Sequence, residues 1–94
     1  MKVPTDREAL MHNDNTLIIE HEPANPAYQS EFDRWYVWQS WLGDLYEVAC
    51  VYSEREALAV VRAFREQGCP EYKTPKWHAI ERRLDDVVDA VRAC

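Results

Sequence analysis

The residues with the most reactive side chains are three histidines, His12, His21 and His78, and three cysteines, Cys50, Cys69 and Cys94. Nucleophilic catalysis needs a thiol or hydroxyl beside a base that a third group orients. No stretch of sequence poises such a set: there is no GxSxG elbow, and no cysteine sits in an obviously electropositive turn. Cys50 falls in an apolar run and reads as a core thiol, whereas Cys94 reads as exposed. CxxC and HxxxH pairs and EF-hand loops are absent. His78, Glu81, Arg82 and Asp85 share one helical face, but that pattern is the ordinary one for a solvated surface. With two glycines and no GxxxxGK[ST] or GxGxxG, nothing cradles a phosphate. Close carboxylates such as Glu20/Glu22, Glu54/Glu56 and Asp85/Asp86 are what 17 acids produce without design. These residues predict a protein that is not an enzyme and uses no metal or cofactor.

The aromatic residues carry more information. Seven of the 11 lie within residues 32–52: Phe32, Trp35, Tyr36, Trp38, Trp41, Tyr46 and Tyr52. If residues 32–39 form a strand, Phe32, Tyr36 and Trp38 share one face and Trp35 takes the other. A two-layer domain of this size buries one sheet face fully, so some rings must stay accessible. Exposed Trp and Tyr are the side chains most enriched at binding hot spots. The expected partner-binding surface is therefore Glu31, Asp33, Trp35, Trp41, Asp44 and Glu47. Arg62, Arg65, Lys73 and Lys76 form a second patch, interrupted by Glu66 and Glu71, in which Arg62 or Arg65 could meet an anion.

The elements that must position these side chains follow from periodicity and caps. Thr5-Asp6-Arg7-Glu8 is a capping box for a short helix over residues 6–12. Thr16 to His21 reads as a strand, and the two prolines of residues 22–27 as a loop. Residues 32–42 are ambiguous. Read as a helix, Ser30 caps it, Gly43 ends it, and Phe32, Trp35, Gln39 and Leu42 form a stripe; the aromatic and Val content favours a strand. Leu45 to Tyr52 is a firmer strand, with Tyr46, Val48, Cys50 and Tyr52 on one face and residues 40–44 as a hairpin loop. Ser53-Glu54-Arg55-Glu56 is a second capping box. Ala57, Val60, Val61 and Phe64 give that helix its apolar stripe, and Gly68 with Pro70 closes it. Thr74-Pro75 begins a last helix, whose seam is Trp77, Ile80, Leu84, Val87, Val88 and Val91. The prediction is one α+β domain over residues 1–94. A small antiparallel sheet of two to three strands is packed by two C-terminal helices, with the short N-terminal helix before it.

Charge and size narrow the function. The net charge is −6, and residues 1–47 carry all of it, holding nine acids against three bases. Such a balance argues against direct binding of nucleic acid, which needs an excess of Lys and Arg. No apolar run approaches the roughly 18–20 residues of a membrane span. Met1-Lys2-Val3-Pro4 lacks the apolar stretch of a signal peptide, and three unpaired cysteines suit a reducing compartment, so a cytoplasmic location is expected. Small, acidic and poor in motifs, the chain is similar in type to the steric or DNA-mimicking inhibitors that phages and other mobile elements encode, anti-CRISPR proteins among them. It shares no motif with them. The expected function is that of a non-enzymatic interaction module occupying a basic, nucleic-acid-binding groove of a protein partner. Two alternatives remain: a small-ligand or nucleotide-binding protein with an aromatic-lined cleft, and a homo-oligomeric subunit pairing through Trp77, Ile80, Leu84, Val87 and Val91.

Overall fold

A computed structural model describes residues 16–25, 27 and 32–93. The helix expected over residues 6–12, Glu31 and Cys94 lie outside these. Three strands, β1 (Thr16–Glu22), β2 (Arg34–Trp41) and β3 (Asp44–Val51), form an antiparallel sheet in the order β1-β2-β3. Three helices follow: α1 (Glu54–Glu66), α2 (Pro75–Glu81) and α3 (Leu84–Arg92). The architecture is α+β, and residues 34–41 are strand rather than helix.

Pairing of Leu17 with Gln39, Ile19 with Val37 and Trp35 with Val51 places these six residues on one sheet face. That face meets the helices. Leu17, Ile19, Val37 and Val51 join Ala57, Val60, Val61 and Phe64 of α1 in a continuous core, completed by Trp77, Ile80, Leu84 and Val88. The i, i+3, i+4, i+7 stripe read from the sequence is thus the buried face of α1.

The ends of α1 form as their residues dictate. Ser53 Oγ accepts from the Glu56 amide at 3.2 Å and donates to Glu56 Oε2 at 2.7 Å. At the other end the amides of Gly68 and Cys69 bond the carbonyls of Arg65 and Phe64, at 3.0 and 2.9 Å. This paired pattern is a Schellman motif, and Gly68 takes the left-handed φ of +80° that it demands. Thr74 caps α2 through the Trp77 amide, with Pro75 at the first helical position.

Three local features differ from expectation. The hairpin between β2 and β3 is a two-residue turn, Leu42-Gly43, in place of a five-residue loop. Both residues have positive φ, 52° and 84°, the backbone that matches the right-handed twist of the strands. Second, β3 carries a bulge: Val37 pairs with Ala49 but Trp38 with Glu47, leaving Val48 as an extra residue. The bulge shifts the alternation, so Tyr46 lies opposite Gln39 on the helix-covered face and Cys50 opposite Tyr36 on the other, where it is exposed rather than the core thiol expected. Third, the seam from Trp77 to Val91 is broken by a turn at Arg82-Arg83, so one expected helix is two. Neither Pro nor Gly marks the break. α2 is tied to the sheet through Trp77, while α3 runs along α1, and the turn reconciles the two directions.

Candidate protein-interaction surface

The aromatic cluster divides into three groups with different surroundings. Toward the helices, Tyr46 stacks on Tyr72 at 4.2 Å, and Tyr72 meets Trp77 edge to face at 4.8 Å. Trp77 in turn lies against Phe64 at 5.9 Å. Its indole N–H donates to Gln39 Oε1 at 2.7 Å, and Gln39 Nε2 donates to the Pro70 carbonyl at 3.1 Å. These rings fasten the loop before α2 to the sheet. On the face away from the helices, Trp38 is 7% exposed, tilts against Tyr36 and donates to Glu20 Oε1 at 3.3 Å.

The third group is accessible. Phe32 and Tyr52 are 65% and 55% exposed, and their rings meet edge to face at 6.4 Å. They lie where β1 ends, β2 begins and β3 ends. Glu22 ends β1 there, Asp33 precedes β2, and Glu54 opens α1 just after Tyr52. Arg34, which pairs with Glu22 in the register, has its own positive charge favoured by a hydrogen bond with Tyr36.

Asp33 is held by two contacts at this end. Its Oδ1 accepts the Ala24 amide at 2.7 Å and its Oδ2 lies 3.3 Å from His21 Nε2. The Ala24 amide chiefly holds its carboxyl below the usual carboxylate range; desolvation partly offsets this and His21 adds to it. The His21 ring stacks on Trp35 at 3.9 Å and 7°.

The residues selected from the sequence are not one patch. Asp33 and Trp35 stand at one end of β2, and Trp41 and Asp44 stand at the hairpin end, about 25 Å away at ~3.3 Å per strand residue. Glu47 is exposed opposite Trp38 on the helix-free face. Trp35 and Trp41 are half-buried, and Trp35 packs on the core. Phe32 and Tyr52 belong to the same sequence cluster, but nothing in the sequence separates them from the rings that fill the core. Of the stripe proposed for self-association, Trp77, Ile80 and Leu84 are buried in this chain's own core, which leaves Val87 and Val91 half-buried at the surface.

A groove between α1 and α3 is lined by six aliphatic side chains together with Arg62, Glu66, Gln67 and Arg83, and by no ring; Arg65 does not reach it. His78 Nδ1 is 3.1 Å from Glu81 Oε1. No group of three or more His, Cys, Asp or Glu among the described residues could hold a metal ion. Desolvation raises the thiols of Cys50 and Cys69 above the ordinary cysteine value, with Glu47 adding to the effect at Cys50, which disfavours the nucleophilic thiolate. No helix among the described residues is long and apolar enough to cross a membrane. No protein-family model, curated protein or solved structure matches the chain.

Proposed function

We propose that the protein is a non-enzymatic interaction module that binds a protein partner through the sheet end bearing Phe32 and Tyr52. The observation that carries this reading is the exposed pair of rings in mutual contact, at a sheet end where Glu22, Asp33 and Glu54 outnumber Arg34 and Arg55. Large exposed rings supply affinity on being buried, and the acids around them select a basic surface and speed the encounter. With a net charge of −6 the module suits a nucleic-acid-handling partner, whose phosphate-binding groove it occupies sterically or by offering carboxylates where phosphates would sit. That is the mode of action of phage-encoded anti-defence inhibitors such as anti-CRISPR proteins, and it operates in the cytoplasm.

The test is a photo-crosslinking residue, p-benzoylphenylalanine, in place of Phe32. The expected product is a crosslink to a nucleic-acid-binding protein, identified by mass spectrometry. It should be lost on Asp33→Lys with Glu54→Lys, and weakened near 1 M salt, where the screening length is about 3 Å. No crosslinked protein, or a crosslink indifferent to both salt and charge reversal, would refute the proposal.

A further inference from the structure

We infer that the groove between α1 and α3 is a binding site for an aliphatic monocarboxylate of about eight carbons. The groove lies on the helix layer and shares no residue with the Phe32–Tyr52 surface, so the two proposals stand or fall separately. Its volume is about 290 Å³. At ~30 Å³ for each water-sized unit it holds nine or ten such units, the bulk of a medium-length hydrocarbon chain.

The walls have the corresponding chemistry. Ala59 and Ala63 of α1 face Ala90 and Val87 of α3, and Ile80 contributes from α2. The three alanines leave open the space that longer side chains would fill. A charged rim accompanies this apolar trough: Arg62 and Arg83 both line the groove. Neither guanidinium takes part in an ion pair among the described residues. Glu66 also lines the groove, so the charge at the rim is +1, which matches a monoanion better than a phosphate dianion. A guanidinium fork pairs with a planar carboxylate through two parallel hydrogen bonds, and the chain is then laid along the alanines. Burying it is the larger favourable term, because the arginines are exposed and water weakens their pull.

Titrating the full chain with octanoate, octylamine and acetate while following backbone amide resonances tests the site. Octanoate should give saturable shifts centred on Ala59, Ala63 and Ala90, with a Kd of order 1 mM or below. Acetate, which lacks the chain, and octylamine, which reverses the charge, should each bind at least tenfold more weakly. Arg62→Gln with Arg83→Gln should weaken octanoate roughly threefold to tenfold, and Ala63→Leu should abolish its binding by filling the trough, both with unchanged circular dichroism. Scattered or non-saturating shifts overturn the inference, as does octylamine binding as well as octanoate. So does a concentration-dependent dimer by light scattering that excludes octanoate, since a second copy would then be the occupant.

Discussion

The indole N–H of Trp77 donates to the side-chain oxygen of Gln39 at 2.7 Å, joining α2 to the central strand across 38 residues of sequence. Both side chains are buried, and the Gln39 amide is turned over to the Pro70 carbonyl. A buried donor left without its acceptor costs about 1–3 kcal/mol. Gln39→Leu should therefore destabilise the protein by that amount in urea unfolding, because it orphans both Trp77 Nε1 and the Pro70 carbonyl. Trp77→Phe added to it should cost less than the two single changes together, since the second change removes the orphaned donor.

Arg92 makes a comparable tie between helices. Its Nε and Nη2 both reach Glu56 Oε1 at 3.0 Å, and Glu56 is only 5% exposed. Arg92→Met should cost about 1–2 kcal/mol: less than the ~3–5 kcal/mol of a fully buried pair, because the arginine is half in water. Glu56→Gln with Arg92→Met should restore part of it, and thermal unfolding of the three variants measures the coupling.

Leu42 is one of three non-glycine residues, with Cys69 and Lys73, that hold a left-handed backbone among the described residues. It holds φ +52° in the hairpin turn while its side chain is 69% exposed. Asn before Gly is the preferred pair for such a turn. Leu42→Asn should raise stability by about 0.5–1 kcal/mol, read as a higher Tm with the same circular dichroism. Gly68→Ala should do the reverse, costing about 1 kcal/mol, because its φ of +80° disfavours any Cβ.

Much of this was legible in the sequence, and the exceptions have physical causes. Ser53, Glu56 and Gly68 bracket α1 because capping is local chemistry between near neighbours. The Val48 bulge has no such signature. It is fixed by which rings fit against the helices, so the faces of Tyr46 and Cys50 could not be read by alternation. The break at Arg82-Arg83 likewise depends on what each half of the seam packs against. For the proposed surface, the sequence singled out the aromatic cluster, but not how its rings divide between the two ends and two faces of the sheet. It did not show that Trp35 packs on the core while Phe32 and Tyr52 stay accessible, because aromatics occupy both faces of β2.

Asp33 gives a pH dependence whose sign follows from its depressed carboxyl. Its contacts with Ala24 and His21 favour the ionised form in the folded state, so the folded protein binds the proton less readily than the unfolded chain. The stability this contributes is present above the ordinary Asp value of about 3.9 and is lost as pH falls through the lower folded value. Asp33→Asn should flatten the acid limb of a stability–pH curve in that window and leave the curve near neutrality parallel to the parent's.

Sheet order makes β3 an edge strand, and Val48 interrupts its hydrogen-bonding rhythm partway along. A second molecule laid straight against that edge can match the ladder on one side of Val48 but falls out of step on the other. The bulge that turns Tyr46 toward the helices thereby also works against edge-to-edge pairing along β3. A variant lacking Val48 would expose a smoother strand and, at high concentration, a greater tendency to form fibrils.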